Sequence, residues 1–253
     1  GQQFMAGFTG IRPVGKMKWE EADGTRGTTE LRPSLWAIPH FYYTHQISED
    51  LFFGIGEFTR FGLGFEYPHD WPGRFNIYEV SLVSGSLNPN IAWRATDKLS
   101  VAAGVELVYV DLDLKKRSKF NTPFPDTSFE VDTSITEATA WGVGGNIARH
   151  YDITDQWAIG LQYRSHVRVH AFGDTEFSYL GLSGPGAAVP GFPEGVHGTY
   201  QDTFKDGTAH AVVVLPESIA GGLSFSPTED LSIEVGATWT RWSRFCGLNI
   251  HMP

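Results

Sequence analysis

The sequence predicts an all-β fold, an antiparallel transmembrane β-barrel, on three observations. Segments of about ten residues alternate apolar and polar side chains, which is the two-residue period of a strand. Short polar turns and long loops alternate along the 253-residue chain. No stretch approaches about 18 apolar residues without a charge, which excludes a transmembrane helix but not a barrel wall that exposes every second residue to lipid. The alternative is a β-sandwich with all its long loops at one end.

The strands follow from this alternation in order, and we predict about nine of them. Their predicted bounds are 4–18, 31–46, 51–65, 76–94, 99–114, 138–150, 157–172, 211–226 and 231–250. Bacterial single-chain barrels have even strand numbers, because both chain ends return to the same side. An odd count therefore predicts an incomplete barrel, a partial single domain over residues 1–253.

Four similar turns separate these strands. Each is a short polar segment followed by a large apolar residue and strict alternation, and the large residues are Leu51, Leu99, Trp157 and Leu231. Their unequal spacing argues against a solenoid or propeller, whose repeats have a fixed period. It favours hairpins with short turns at one end and variable loops at the other. The predicted loops cover 20–30, 66–75, 115–137 and 173–211.

Net charge and cysteine count limit the kinds of partner and site that this chain can have. The net charge of −10 argues against a nucleic-acid partner. The single cysteine, Cys246, permits neither an internal disulfide nor a cysteine-based metal cage. The segment from Gly1 to Phe4 shows no signal peptide, and no cofactor is expected.

One strand, 157–172, carries two unlike faces. Its apolar face, broken only by Ser165, consists of Trp157, Ile159, Leu161, Tyr163, Val167, Val169 and Ala171. Of these, Ile159, Leu161 and Tyr163 are predicted to face lipid, and Trp157 is predicted to lie near the periplasmic rim. Its polar face is predicted to line the lumen and includes Arg164, His166 and Arg168. Alternate side chains of a strand point to opposite sides of the sheet, which gives this segment one apolar and one polar, basic face.

Four segments together resemble the FadL/TodX family of outer-membrane transporters for long-chain fatty acids and aromatic hydrocarbons. They are LFFGIGEFTRFGLGFEY at Leu51–Tyr67, LNPNIAWR at Leu87–Arg94, LPES at Leu215–Ser218 and ATWTRWSRF at Ala237–Phe245. The resemblance implies a 14-stranded barrel in the cell outer membrane, with a small N-terminal hatch. Neither the hatch nor the last strands has room in this sequence. The implied protein is a monomer in contact with outer-membrane lipid and lipopolysaccharide.

The resemblance also implies a route for a long-chain fatty acid or another hydrophobic small molecule. The ligand is caught between extracellular loops, held in a lumenal pocket and released sideways at a kink in the third strand. The implied kink is Phe61, Gly62, Leu63 and Gly64, for which ordinary barrel glycines are the alternative. The implied ligand-catching residues are Leu180, Leu182, Val189 and Phe192, which could instead pack on a neighbouring loop.

The basic face of strand 157–172 supplies the candidate contacts for a carboxylate. A carboxylate entering a dry pocket needs a partner, and arginine offers a two-pronged donor. We therefore expect Arg164, Arg168 and His166 to bind ligand, which favours fatty acids over aromatic hydrocarbons. The alternative is ordinary pairing within the wall, with Glu106, Glu217 or Glu234 as partners.

No enzyme and no metal site are expected. His166 and His170 lie about 13 Å apart along a strand, which is too far for both to bind one ion. Ser165 lies on the opposite face from His166, so they form no catalytic pair. The rival hypotheses to a fatty-acid channel are an aromatic-hydrocarbon channel of the same family, an outer-membrane barrel enzyme and a general aqueous porin.

Overall fold

A computed structural model describes residues 1–21, 23–245, 247 and 249–251. Its strands are β1 Gln2–Ile11, β2 Lys16–Glu20, β3 Arg26–Glu30, β4 Trp36–Gln46, β5 Leu51–Phe58, β6 Leu63–Glu66, β7 Glu79–Arg94, β8 Leu99–Asn121, β9 Ser128–Asp152, β10 Trp157–Arg164, β11 Val167–Ser183, β12 Gly207–Leu215, β13 Ser218–Thr228, β14 Leu231–Thr240 and β15 Asn249–His251. One α-helix, α1, covers Phe192–Thr203 in this part of the chain. Short 3-10 turns lie at Pro72–Phe75, Pro185–Ala188 and Trp242–Arg244.

The strands form a half-barrel wall in which every neighbour is antiparallel. The order is β1-β4-β5-β7-β8-β9-β10-β13-β14. The edge that carries the short turns is called the turn end here, and the opposite edge is the loop end. The Thr96 hydroxyl accepts a hydrogen bond from the backbone N–H of Leu99, and the Thr154 hydroxyl accepts one from the backbone N–H of Trp157. These local bonds explain why the threonine turns are short and regular.

The outer face of the wall is apolar, as the barrel hypothesis requires. Large side chains are exposed there at alternate positions: Ile91, Trp93, Val105, Leu107, Trp141, Val143, Ile147, Ile159 and Leu161. Trp141 is 72% exposed. An apolar surface this extensive, with a tryptophan so exposed, indicates contact with lipid and not with water. The predicted all-β barrel wall is confirmed. Among the described residues, no helix combines the length and the apolar character that crossing a membrane requires.

Two breaks interrupt the wall strands. The window break, Thr59–Gly62, separates β5 from β6 within the predicted strand 51–65. The inner break is a pair of interruptions at one level: Ser165–His166 separates β10 from β11, and Pro216–Glu217 separates β12 from β13. Below the inner break β10 pairs with β13, and above it β11 pairs with β12.

Above the inner break the sheet curls around a core that the sequence pattern does not predict. Its members come from β7, β8, β9, β11 and β12: Val80, Val108, Val110, Leu112, Ile135, Ala138, Ala140, Val167, Val169, Ala171, Ala209, Ala211, Val213 and Leu215. The prediction that Val167, Val169 and Ala171 continue the apolar face of Ile159 and Leu161 is therefore wrong. The odd-numbered residues face outward in β10 and inward in β11, because the chain turns over at Ser165–His166.

Several predicted loops contain ordered structure. The predicted loop 115–137 is mostly strand, because β8 and β9 continue as one long hairpin closed by 122–127. The predicted loop 173–211 holds the end of β11, helix α1 and the start of β12. The hairpin β2–β3 lies at the loop end, where the sequence predicts the end of a strand and a loop. The predicted strand 231–250 is interrupted after β14 by a 3-10 turn.

Candidate functional site

The window break leaves an opening in the wall between β4 and β6. Strand β4 pairs with β5 only as far as Phe41 opposite Glu57. Strand β6 pairs with β7, and the described part of the chain offers no partner to its other edge. The opening closes again toward the loop end, where the Arg32 N–H donates to the Glu66 carbonyl at 2.8 Å. It is therefore a bounded window, with paired backbone below and above.

Apolar side chains line this window, around a cavity of about 310 Å³. The lining includes Ile38, Pro39, Phe61, Leu63 and Leu82. The Trp36 ring crosses the gap and packs on Gly64, where an added Cβ would lie 2.4 Å from the ring. The gap is thus bridged by side chains instead of backbone hydrogen bonds.

The predicted kink coincides with this opening. All four of its residues, Phe61, Gly62, Leu63 and Gly64, line the cavity. Hydroxyl groups satisfy the backbone of the break: Thr59 Oγ1 donates to the Ser84 carbonyl at 2.8 Å, and Ser84 Oγ donates to the Phe61 carbonyl. The break is therefore a formed feature of the wall. Its role as an exit stays a prediction.

Behind the window lies a buried charge cluster. Glu106 on β8 is fully buried, and both its carboxylate oxygens accept from Arg60 Nη1, at 3.2 and 3.0 Å. Arg164 Nη1 lies 3.5 Å from Glu106 Oε2. The carboxylate holds two guanidinium groups together that would otherwise repel each other. The cluster carries one net positive charge next to the window.

Asparagine side chains extend the cluster toward the turn end. Arg164 donates to Asn88 Oδ1 at 3.2 Å, and Asn88 donates to Asn146 Oδ1 at 2.8 Å. Asn146 in turn donates to Asn90 Oδ1 at 2.7 Å. The lumenal side of β7, β9 and β10 is thus polar and hydrogen-bonded. This chain of contacts fixes the direction of the Arg164 guanidinium.

A second cluster surrounds Glu217 at the inner break. Arg241 Nη1 lies 3.1 Å from Glu217 Oε1, and Arg244 Nε lies 2.9 Å from Oε2. His166 Nδ1 is 4.0 Å from the same carboxylate. This cluster repeats the ratio of two arginines to one carboxylate. The side chains of its arginines are 49% and 42% exposed, so these charges are accessible.

The inner break separates the residues that were expected to bind a carboxylate. Arg164, before the break, points into the Glu106 cluster, which is the wall-pairing arrangement. Arg168, after the break, is exposed on the face opposite the buried Val167 and Val169. The expectation that both arginines share one lumenal face is wrong, because the strand turns over between them. His166 lies at the break itself, beside Glu217.

The ligand-catching residues lie in a folded loop region. Leu180 is 46% exposed, whereas Leu182, Val189 and Phe192 are half-buried. Phe192 packs on Phe124 with ring centroids 5.5 Å apart. Contact with ligand stays a prediction for all four, and packing on a neighbouring loop is observed for Phe192.

Helix α1 closes an aromatic cluster over the loop end. Its members are Phe120, Phe129, Phe177, Tyr179, His197, Tyr200 and Phe204. The Tyr200 hydroxyl donates to the Phe177 carbonyl. Burial, with a smaller contribution from the Asp206 charge, raises the pKa of Tyr200 above its ordinary value. The rings of this cluster therefore form an aromatic cover over the loop end.

One group of potential metal ligands converges among the described residues. Glu66, His69 and Glu79 bring ligand atoms within 4.8 Å of one another at the loop end. Glu66 already pairs with Arg32 at 2.6 Å, and Glu79 with Lys115 at 3.0 Å. Each of the two carboxylates is therefore already paired with a basic side chain.

Arg60 is the residue of the site that the sequence reasoning missed. Arg60 lies in a strongly apolar segment, and the glycines that follow it are the more conspicuous feature of that segment. The available signal was an arginine in mid-strand between Phe58 and Phe61, since a buried charge requires a partner. The partner, Glu106, was named only as one of several carboxylates that could pair with Arg164 or Arg168.

Comparisons with known proteins agree on one family. A sequence model described as outer membrane protein transport protein (OMPP1/FadL/TodX) matches residues 2–253. Outer membrane protein P1 of Haemophilus influenzae is 23% identical over 251 residues, 90% of this chain and 50% of that protein. The long-chain fatty acid transport protein of Escherichia coli O6:H1 is 22% identical over 233 residues, 85% of this chain and 50% of that protein. The chain thus spans about half the length of these curated relatives.

Solved structures share the fold. A FadL homologue of Pseudomonas aeruginosa aligns with a TM-score of 0.75 and 16% identity, over 98% of this chain and 62% of that one. The toluene transporter TodX of Pseudomonas putida aligns with a TM-score of 0.69 and 19% identity, over 96% and 62%.

Proposed function

This chain belongs to the OMPP1/FadL/TodX family of outer membrane transport proteins, and on that premise we propose that it forms part of a passive channel for long-chain fatty acids. Membership in this family supports an outer-membrane location and a channel for hydrophobic compounds. The proposal adds the route and the substrate. The ligand is caught at the loop end, passes the charge clusters in the lumen and leaves sideways through the window into the membrane.

The observation that carries the route is the window. A hydrophobic molecule that left the barrel through its turn end would enter water. An apolar opening in the wall instead delivers the molecule to lipid, where its transfer free energy is favourable. The bounded shape and the lining of Ile38, Phe61 and Leu63 support this exit.

The charge clusters support a ligand that carries a carboxylate. Each cluster has two arginines for one glutamate, which leaves one positive charge for an incoming anion. Arg164 is the better placed of the two predicted arginines, because Arg168 lies on the other face of the sheet. Related proteins are named for both substrate classes: a long-chain fatty acid transport protein and a toluene transporter. An aromatic hydrocarbon would need neither cluster.

The experiment uses the full-length protein in a bacterial strain without its own hydrophobic-compound channels. Uptake of oleate and of toluene is measured with radiolabel. We expect oleate uptake, a loss of at least about tenfold in Gly62→Phe, which fills the window, and a selective loss of oleate uptake in Arg164→Ala. Gly160→Phe is the matched control, since Gly160 has open space around it on another strand.

The outcomes separate the candidate functions. Uptake of neither compound would contradict a hydrophobic-compound channel. Toluene uptake without oleate uptake would replace the substrate and keep the route. Oleate uptake that survives Gly62→Phe would remove the window as the exit. Uptake of small hydrophilic sugars at a similar rate would indicate a general porin.

A further inference from the structure

We propose that Arg60 is a positioning residue that holds the window open, by fastening the window break to the inner break across the lumen. The inference rests on the proposed function only in taking the window as the route. The conformational role itself is independent of which substrate passes.

One side chain makes the connection. Besides the two oxygens of Glu106, Arg60 donates from Nη2 to the Pro216 carbonyl at 3.1 Å and from Nη1 to the Ser165 carbonyl at 3.5 Å. These acceptors belong to β8 and to the two interruptions that form the inner break. Only 8% of the Arg60 side chain is exposed. Its contacts are therefore made in a dry interior, where each is strong.

The two carbonyl acceptors are free because the inner break exists. The β10–β13 ladder ends at Arg164 opposite Ser218, and the β11–β12 ladder begins at Val167 opposite Leu215. The Ser165 and Pro216 carbonyls lie between the two ladders, belong to neither, and accept from Arg60 instead. A buried carbonyl without a hydrogen-bond partner is destabilising, so these two acceptors favour the Arg60 contact. The planar five-donor guanidinium can serve a carboxylate and two carbonyls together, which the point charge of a lysine cannot.

The same contacts pull the window break inward. Arg60 lies in the middle of Thr59–Gly62, so its side chain draws this backbone from the line of the wall toward Glu106. The next residue, Phe61, packs edge-on against Trp242 with ring centroids 5.6 Å apart, which is a second attachment on the same side. Unpaired backbone that faces lipid is costly. Without Arg60, we expect the segment to move back and pair with the free edge of β4, which closes the window.

The experiment measures the window directly. Spin labels are placed at Ala37 on β4 and Gly62 in the break, both exposed, in a Cys246→Ser background of the full-length protein in liposomes. We expect Arg60→Gln to shorten the label-to-label distance by about 4 Å, close to one strand spacing. Oleate uptake should fall by at least about tenfold in the same variant without labels. Arg149→Gln, at an exposed arginine outside the cluster, should change neither value.

Each outcome decides the role of Arg60. A distance in Arg60→Gln equal to that of the parent would overturn the proposal, whatever happens to uptake. If Arg60→Gln does not fold, as judged by loss of heat-dependent gel migration, Arg60→Lys decides. A smaller shift in the same direction supports the proposal, and no shift overturns it. If the parent takes up neither oleate nor toluene, the proposed function fails, while the label-to-label distance still tests the positioning role of Arg60.

Discussion

The window break and the inner break both interrupt strands of the same sheet, but only the window break makes an opening. At the window break the adjacent strand, β4, stays paired with β1 but has no strand partner over 36–40 on the edge that faces β6. At the inner break the adjacent strand, β9, stays bonded: Ser165 N–H donates to the Gly145 carbonyl at 2.8 Å, and Gly145 N–H donates to Ser165 Oγ at 2.9 Å. An interrupted strand therefore opens a wall only where its neighbour loses its bonds too.

The inner break also fills the space that it creates. Val167 and Val169 fold over two glycines of β9, where a Cβ on Gly142 would lie 2.5 and 2.6 Å from their methyl groups. The window break instead leaves a cavity that the Trp36 ring spans. One break becomes packed core and the other stays open to lipid, although Arg60 joins both. Whether a break opens the wall is decided by whether the neighbouring strand keeps its backbone hydrogen bonds.

Removing Glu106, the carboxylate that Arg60 and Arg164 share, should have the largest effect on stability. Glu106→Ala leaves Arg60 and Arg164 buried beside each other without a carboxylate, and we expect a loss of about 3–5 kcal/mol in the free energy of unfolding. Urea unfolding of the full-length protein in liposomes measures it. Glu30→Ala removes an exposed pair with Lys16 and should cost no more than about 1 kcal/mol. Equal losses in the two variants would contradict a shared buried support.

A side chain at Gly142 should disturb the inner break alone. Gly142→Val forces Val167 and Val169 away from β9, and we expect overpacking to cost about 1–3 kcal/mol. The matched Gly160→Val, on the adjacent strand, has nothing within 4 Å and should stay within about 0.5 kcal/mol. The same urea series compares them. A harmless Gly142→Val would show that β11 does not pack on β9 as described.

The Ser84 hydroxyl stabilises the backbone of the window break, and a comparison of Ser84 with Ser86 tests this contribution. Ser84→Ala removes the donor to the Phe61 carbonyl, and we expect a cost of about 1 kcal/mol. Ser86 lies two residues along on the same buried face, and its hydroxyl has no partner in the described structure. Ser86→Ala should therefore be neutral or slightly stabilising. Both are compared by urea unfolding, and a larger cost for Ser86→Ala would reverse the assignment.

The turn-end half of the wall could be predicted from the sequence because one physical rule governs it. Outward residues such as Ile159 and Leu161 meet lipid and inward residues meet the lumen, so polarity has a strict period of two. The threonine turns mark where each strand begins. Within that half, alternation identifies both the strand and its orientation.

The loop-end half could not be predicted from the sequence because the rule changes without a local signal. Val167 and Val169 continue the apolar alternation of Leu161 and Tyr163, yet they face the opposite way. An apolar residue satisfies either lipid or a core, so polarity cannot report a reversal. The cue, glycines at 142 and 144, lies on another strand. Arg60 was missed for a similar reason, since its acceptors are backbone carbonyls at remote positions.

The smallest expected effect tests that reversal most directly. Arg168 is exposed beyond the inner break and makes no ion pair among the described residues, so Arg168→Ala should change the free energy of unfolding by less than about 0.5 kcal/mol. Arg164, four residues earlier, bonds Glu106 and Asn88, and Arg164→Ala should cost about 1–3 kcal/mol. On an unbroken strand both arginines would share one face and one environment. Equal costs in urea unfolding would therefore contradict the inner break and restore the uninterrupted lumenal face.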